Sequence, residues 1–330
     1  MGNQMRVFSG RRRIGFAAVG VIATVGVLAS IAVAANLPLG KLKGSVTADG
    51  SSTVGPYTTA AAELFSRAGA KNVRVTVGIS GTGGGFERFC KGEIDLSDAS
   101  RPLKIKEAQL CKASNIGSWR AFTVANDALT VVVNKNNTWA TCLSTDELKK
   151  IWNTGSKVDN WKDVRAGFPD QKIKLFGPGT DSGTFDYFTE VINGKAKASR
   201  SDYAASEDDN VLVQGVSGEK GGLGYFGYSY YEENQDKLRA VQIRNPKTGN
   251  CVAPSATTAQ SGTYKPLARP LFIYAKGSSF KRPEVQAFLR YIFDNEVAIA
   301  KRAQFVSLTP AQLKKARINF DLAVKAANRQ

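Results

Sequence analysis

With 330 residues, the chain has room for about two domains at the usual ~150 residues each, and its 42% hydrophobic and 22% charged residues are those of a globular protein. It carries 45 Lys+Arg against 28 Asp+Glu, a net charge of +17, and no histidine. The missing histidine excludes Ser-His-Asp and Cys-His catalysis and every His-liganded metal, and four cysteines without CxxC spacing argue against a zinc ribbon.

Residues 1–34 begin with Arg6, Arg11, Arg12 and Arg13 and no acid, then run through an uncharged Ala/Val/Gly/Ile stretch to Ala32-Val33-Ala34. Basic, apolar and small-residue regions in that order predict a cleaved secretory signal peptide. An apolar run of about 20 residues also suffices for an uncleaved membrane anchor. Removing these four Arg leaves 41 Lys+Arg against 28 acids, a net +13. Such a charge suits nucleic acid, an anionic envelope surface or small anions. Export to the periplasm or cell envelope argues against nucleic acid, and no Lys/Arg block forms a nucleic-acid arm.

Beyond this segment, strand-like and helix-like patterns alternate, which predicts an α/β architecture. Three times a β-type run enters a loop dense in Gly, Ser and Thr, and a helix follows. In the first, Ser45–Ala48 leads into Asp49-Gly50-Ser51-Ser52-Thr53-Val54-Gly55, and Pro56 opens the helix. In the second, Val73–Val77 leads into Gly78-Ile79-Ser80-Gly81-Thr82-Gly83-Gly84-Gly85, with a helix expected from Phe86 to Cys90. The stretch Gly92–Pro102 then places Asp95, Asp98 and Arg101 after a short apolar run, as a plain turn or as a loop offering a ligand a cation, an acceptor and a hydroxyl. In the third, Lys172–Phe176 leads into Gly177-Pro178-Gly179-Thr180-Asp181-Ser182-Gly183-Thr184 and a helix from Phe185.

A helix N-terminus has unpaired N–H groups and a partial positive charge, glycine lets the backbone approach a ligand, and hydroxyls add donors; the pattern reads as anion binding. One such loop is no more than a set of N-caps; three argue for a site. Nucleotide motifs fail on spacing. Gly81-Thr82-Gly83-Gly84-Gly85 continues with Phe86 where GxGxxG needs glycine, Gly50–Gly55 continues with Pro56-Tyr57 instead of Lys-Ser/Thr, and no nucleophile elbow surrounds Ser80 or Ser182. Glu207-Asp208-Asp209 is the nearest thing to a metal-binding carboxylate cluster, in a stretch that reads as a solvated loop. Near the end, Val285, Phe288, Leu289, Ile292 and Phe293 share one helix face, and Thr309-Pro310 starts a last helix.

Four cysteines in an exported chain predict two disulfides among three connectivities. Cys90–Cys111 with Cys142–Cys251 is favoured because each pair then falls within one expected domain; four buried free thiols are the alternative.

GSSTVGP at 50–56, GISGTGGGFERF at 78–89, DLSDASRPL at 95–103 and GTDSGTFDYF at 179–188 resemble, in this order and spacing, the substrate-binding proteins of phosphate ABC transporters. GGLGYFGYSYY at 221–231 and YKPLARPLFIYA at 264–275 look like that family's later strands, so the resemblance covers nearly all of the chain beyond residue 34. It implies a two-lobed, type II-like periplasmic-binding-protein fold with a ligand cleft between lobes joined by a hinge. Residues 35–127 and 267–330 would form lobe I and residues 128–266 lobe II, with one disulfide in each. The chain would cross outward near 128–133 and return near 267–274.

Carried over by position, the ligand groups are Ser52 and Thr53 in the first loop, Thr82 with Ser80 as rival in the second, and Ser182, Gly183 and Thr184 in the third. Two positions depart from the family pattern: Pro178 stands where many members have Arg, and Ser100 where they have the ligand-binding Asp. Arg101 is expected to replace the missing Arg, and Asp98 or Asp181 to accept the proton of hydrogen phosphate. The function implied is capture of inorganic phosphate and delivery to a membrane permease, by a monomer without cofactor, metal or catalysis. An envelope anion sensor or adhesion module, or a metal-dependent phosphatase, are the alternatives.

Overall fold

The computed structural model describes residues 38–329; the signal-peptide expectation for 1–34 lies outside them. Among the described residues, no helix is long and apolar enough to cross a membrane. The first third forms β1 (Gly44–Gly50), β2 (Val73–Gly78), β3 (Leu96–Ala99) and the long β4 (Trp119–Asn134). After these come β5 (Cys142–Leu143), β6 (Lys174–Pro178), β7 (Ala204–Ser206) and β8 (Gly222–Gly227). The last four are β9 (Leu238–Ala240), β10 (Gln242–Arg244), β11 (Cys251–Val252) and β12 (Ala268–Lys276).

The main sheet runs in the order β2-β1-β3-β12-β4-β8-β6-β7, with β9 also pairing with β4, and a small sheet runs β11-β10-β5. β1 lies parallel to β2 and β3, and β6 parallel to β7 and β8, as strand–helix–strand connections require. β4 explains how one sheet serves two lobes. It pairs with β12 as far as Ala128 and with β8 from Leu129 onward. Its run Ala128–Val133 is buried throughout, the mark of a strand covered on both faces. The fold is the α/β arrangement that the alternating pattern predicted, with the two lobes that the resemblance implied.

Among the described residues, one apolar core centres on Trp152, Trp161, Phe188 and Tyr225, another includes Phe86, Phe89 and Tyr274, and a further one gathers Val132, Leu212 and Phe226. Each such fully buried side chain contributes on the order of 2 kcal/mol of transfer free energy. The expected stripe Val285, Phe288, Leu289, Ile292 and Phe293 is buried on helix Pro283–Asp294. Helix Pro310–Ala327 starts where Thr309 accepts a hydrogen bond from the Gln312 N–H (3.2 Å), and its Phe320 packs edge-on against Phe122 and tilted against Phe293. Both disulfides form with the expected connectivity: Cys90–Cys111 ties helix Gly81–Cys90 to helix Ile105–Ala113, and Cys142–Cys251 ties β5 to β11.

Candidate functional site

A cleft of about 640 Å³ opens where the ends of β1, β2 and β6 deliver their loops, the place where open α/β sheets bind ligands. Ser51–Thr53, Gly81–Gly83, Ser100, Arg101, Gly183 and Arg269 are among the residues lining it.

The first loop is fixed by a turn only glycine makes. Gly50 has φ +148°, and a Cβ there would run into the Asp98 carbonyl oxygen of β3. Ser51 N–H donates to that carbonyl (2.9 Å), and the Ser51 hydroxyl accepts from Thr53 N–H (3.2 Å). Ser52 and Thr53 are thereby held just before helix Gly55–Arg67, facing the cleft. Thr53 Oγ1 lies 3.5 Å from the Gly183 carbonyl, so the first and third loops touch.

The second loop differs from expectation. Its helix starts at Gly81 instead of Phe86 and draws the glycines into its first turn. Gly85 is the poor helix former that this packing requires, because it lies directly on the first loop: a Cβ there would come within 2.8 Å of the Asp49 carbonyl oxygen. Thr82 faces the cleft, its Oγ1 3.2 Å from the Ser100 hydroxyl and accepting from Ser100 N–H (3.2 Å). Ser80 is outside the lining; its N–H donates to Asp49 (2.9 Å) and its side chain crowds Gly84.

In the third loop, Gly183 lines the cleft and its two neighbours do not. Ser182 is the N-cap of helix Gly183–Phe188, its hydroxyl accepting from Thr184 N–H (3.2 Å). The helix is anchored by Phe188, stacked on Tyr225 at 3.8 Å and edge-on to Trp152. Pro178 gives its carbonyl to the Tyr203 hydroxyl (2.9 Å), and Asp181 gives its N–H to Glu207 (3.2 Å), away from the cleft. Glu207 therefore braces this loop and Asp208 caps helix Asp209–Gly218. Among the described residues, no three Cys, Asp or Glu side chains gather as a metal site.

Asp98 sits behind the cleft. It is fully buried, its Oδ1 accepting from the Thr58 hydroxyl (2.9 Å) while Oδ2 has no partner among the described residues. Burial pushes its carboxyl up to about 7, against the lowering by Thr58. Because the folded protein holds this proton more tightly than the unfolded chain does, stability falls as pH rises from about 4 to about 7. Asp98→Asn is therefore expected to flatten the dependence of melting temperature on pH, raising it at pH 8 and leaving it nearly unchanged at pH 4. An unchanged slope would show that Asp98 titrates normally.

Arg101 reaches the cleft, but its guanidinium already grips Glu107 through both Nη atoms (2.9 and 2.7 Å). The sequence did not single out Arg269, on β12, which lines the same cleft. Its Nε donates to Asp127 Oδ2 (3.1 Å) and its Nη2 to Thr53 Oγ1 (2.8 Å), and it lies 3.5 Å over the Tyr187 ring. Asp186 and Glu190 also line the cleft and went unnoticed. Burial pushes the Asp186 carboxyl up, with Lys197 and Arg269 pulling it down, and its Oδ1 has no hydrogen-bond partner among the described residues. The signal that was available is a lone Asp in the apolar run of β4 and a lone Arg opposite it in β12.

Comparison with known proteins places this arrangement. The model of the PBP superfamily domain matches residues 38–296. The protein SphX of Synechococcus elongatus is 49% identical over 265 residues, covering 80% of this chain and 77% of SphX. The phosphate-binding protein PstS of Staphylococcus haemolyticus is 40% identical, covering 81% of this chain and 82% of that protein. Among solved structures, a possible phosphate binding protein from Planctomyces limnophilus superposes with a TM-score of 0.82 at 48% identity, over 86% of this chain and all of that one.

Proposed function

The chain belongs to the PBP superfamily, alongside the SphX and PstS proteins, and we propose that it captures inorganic phosphate in the interlobe cleft and delivers it to an ABC-type importer. The observation that carries this is the meeting of three Gly- and hydroxyl-rich loops at one cleft, two of them in contact through Thr53 and Gly183. Such loops suit a small, highly charged tetrahedral anion: Ser52, Thr53, Thr82 and Ser100 offer hydroxyls, and Gly183 lets the backbone close in. Closure of the lobes then removes water and strengthens each hydrogen bond.

Residues 38–127 and 267–329 form lobe I on this account and residues 128–266 lobe II, with β4 and β12 as the crossings. The protein works outside the cytoplasm, binding without catalysis. Asp186 takes the acceptor role expected of Asp98 or Asp181, because it faces the cleft and they do not. A carboxylate there accepts the proton that hydrogen phosphate carries and repels sulfate, which carries none.

Isothermal titration at pH 7 tests this. Micromolar or tighter phosphate binding corresponds to about 8 kcal/mol or more. Sulfate is expected to bind roughly 100-fold more weakly, about the cost of a buried group left unpaired, and Asp186→Asn to narrow that gap. Equal binding of both anions by the unsubstituted protein would make this a general anion site, and binding of neither would refute phosphate capture.

A further inference from the structure

Given phosphate capture in this cleft, we infer that Arg269, and not Arg101, is the arginine that donates to the bound anion and latches the two lobes around it. Both arginines are paired with a carboxylate, so neither is distinguished by net charge. They differ in what remains available. Arg101 spends both Nη atoms on the two oxygens of Glu107, a filled fork, and Nη1 also meets the Pro102 carbonyl. Arg269 meets Asp127 through Nε and Thr53 through Nη2, which leaves its Nη1 edge without a protein partner among the described residues. Arg269 is also the drier of the two, its side chain 12% exposed against 27%, so each hydrogen bond it makes to an anion is less diluted by water.

The contacts of Arg269 join elements on both sides of the cleft. It stands opposite Asp127 in the pairing of β12 with β4, the two strands that run between the lobes. It bonds Thr53 of the first loop and stacks on Tyr187 of the helix that follows the third loop. Tyr187 is itself held, its hydroxyl donating to the Pro266 carbonyl. A flat guanidinium can stack and donate in its plane at once, which a lysine ammonium cannot. An anion drawn to the Nη edge therefore meets Thr53 and Gly183 together, and binding is coupled to closure.

Phosphate titration and small-angle X-ray scattering of the protein and its variants test this. Arg269→Gln is expected to weaken phosphate binding by about 100-fold or more and to abolish the ligand-induced compaction. Arg269→Lys, which keeps Asp127 paired, is expected to lose about tenfold in affinity and part of the compaction. Arg101→Gln is expected to stay within about threefold of the unsubstituted protein, its partner being Glu107 and not the ligand. The double variant Asp127→Asn with Arg269→Gln leaves no charged carboxylate behind at position 127, and its melting curve separates loss of fold from loss of a ligand donor. The inference is overturned if that folded double variant binds within threefold of the unsubstituted protein, or if Arg101→Gln loses more affinity than Arg269→Gln. If the unsubstituted protein itself binds no phosphate, phosphate capture falls, and this role with it.

Discussion

Gly183→Ala is expected to cost roughly 100-fold or more in phosphate affinity while leaving the melting temperature of the ligand-free protein nearly unchanged. A Cβ at this position would stand 2.7 Å from Thr53 Oγ1 and 2.9 Å from its backbone nitrogen. Both distances are inside van der Waals contact, and neither neighbour is a free side-chain end. Thr53 is tied down from two sides, by Ser51 and by Arg269. The methyl group is accommodated by holding the third loop away from the first, which opens the site and lets water compete for every donor. The apolar cores are untouched, so the fold survives. Gly218→Ala is the matching control: its Cβ would meet nothing within 4 Å, and its backbone is not left-handed. Isothermal titration and a melting curve on the two variants separate the effects. Equal affinities would mean that the loops do not approach in the bound state.

The second large effect is on stability. Replacing Cys142 and Cys251 by serine opens a loop of 109 residues. The chain-entropy model assigns a crosslink of that length about 4–5 kcal/mol, against about 3 for the 21-residue Cys90–Cys111 loop. Two further losses add to it. β5 and β11 are two-residue strands paired only with β10, too short to persist alone. The Cys142 carbonyl also accepts from Arg165 Nη2 (2.9 Å), the arginine that grips Glu147, so fraying of β5 loosens that pair. The melting temperature is expected to fall by roughly 10 °C on calorimetry, and by less for Cys90→Ser with Cys111→Ser. The reverse order would show that the small sheet is held by its packing and not by its crosslink.

Much of the fold was legible because local chemistry and tertiary packing agree. The three loops stand out by glycine and hydroxyl content, and Pro56 and Thr309-Pro310 mark helix starts, while the crossing near 128–133 is implied only by the family resemblance. The second helix starts five residues earlier than expected because glycine propensity argues against a helix there, and contact with the first loop, invisible in the sequence, is what requires a glycine at position 85. The site was legible in part. Ser52, Thr53, Thr82, Ser100, Arg101 and Gly183 do line one cleft. Ser80, Asp98, Asp181, Ser182 and Thr184 do not, since motif spacing says which loop a residue sits on but not which way it faces. Ser182 illustrates this: a hydroxyl at a helix start serves either a ligand or its own backbone, and here it caps. Arg269 and Asp127 were missed for another reason. They lie 142 positions apart in sequence and become a pair only when β12 returns beside β4.

A crystal structure grown in phosphate locates the ligand directly. The phosphate oxygens are expected within hydrogen-bond distance of Thr53, Ser100, Gly183 and Arg269, with Asp186 on the protonated oxygen and the lobes closed over it. Phosphate density outside this cleft, with the three loops left open to water, would contradict capture between the lobes.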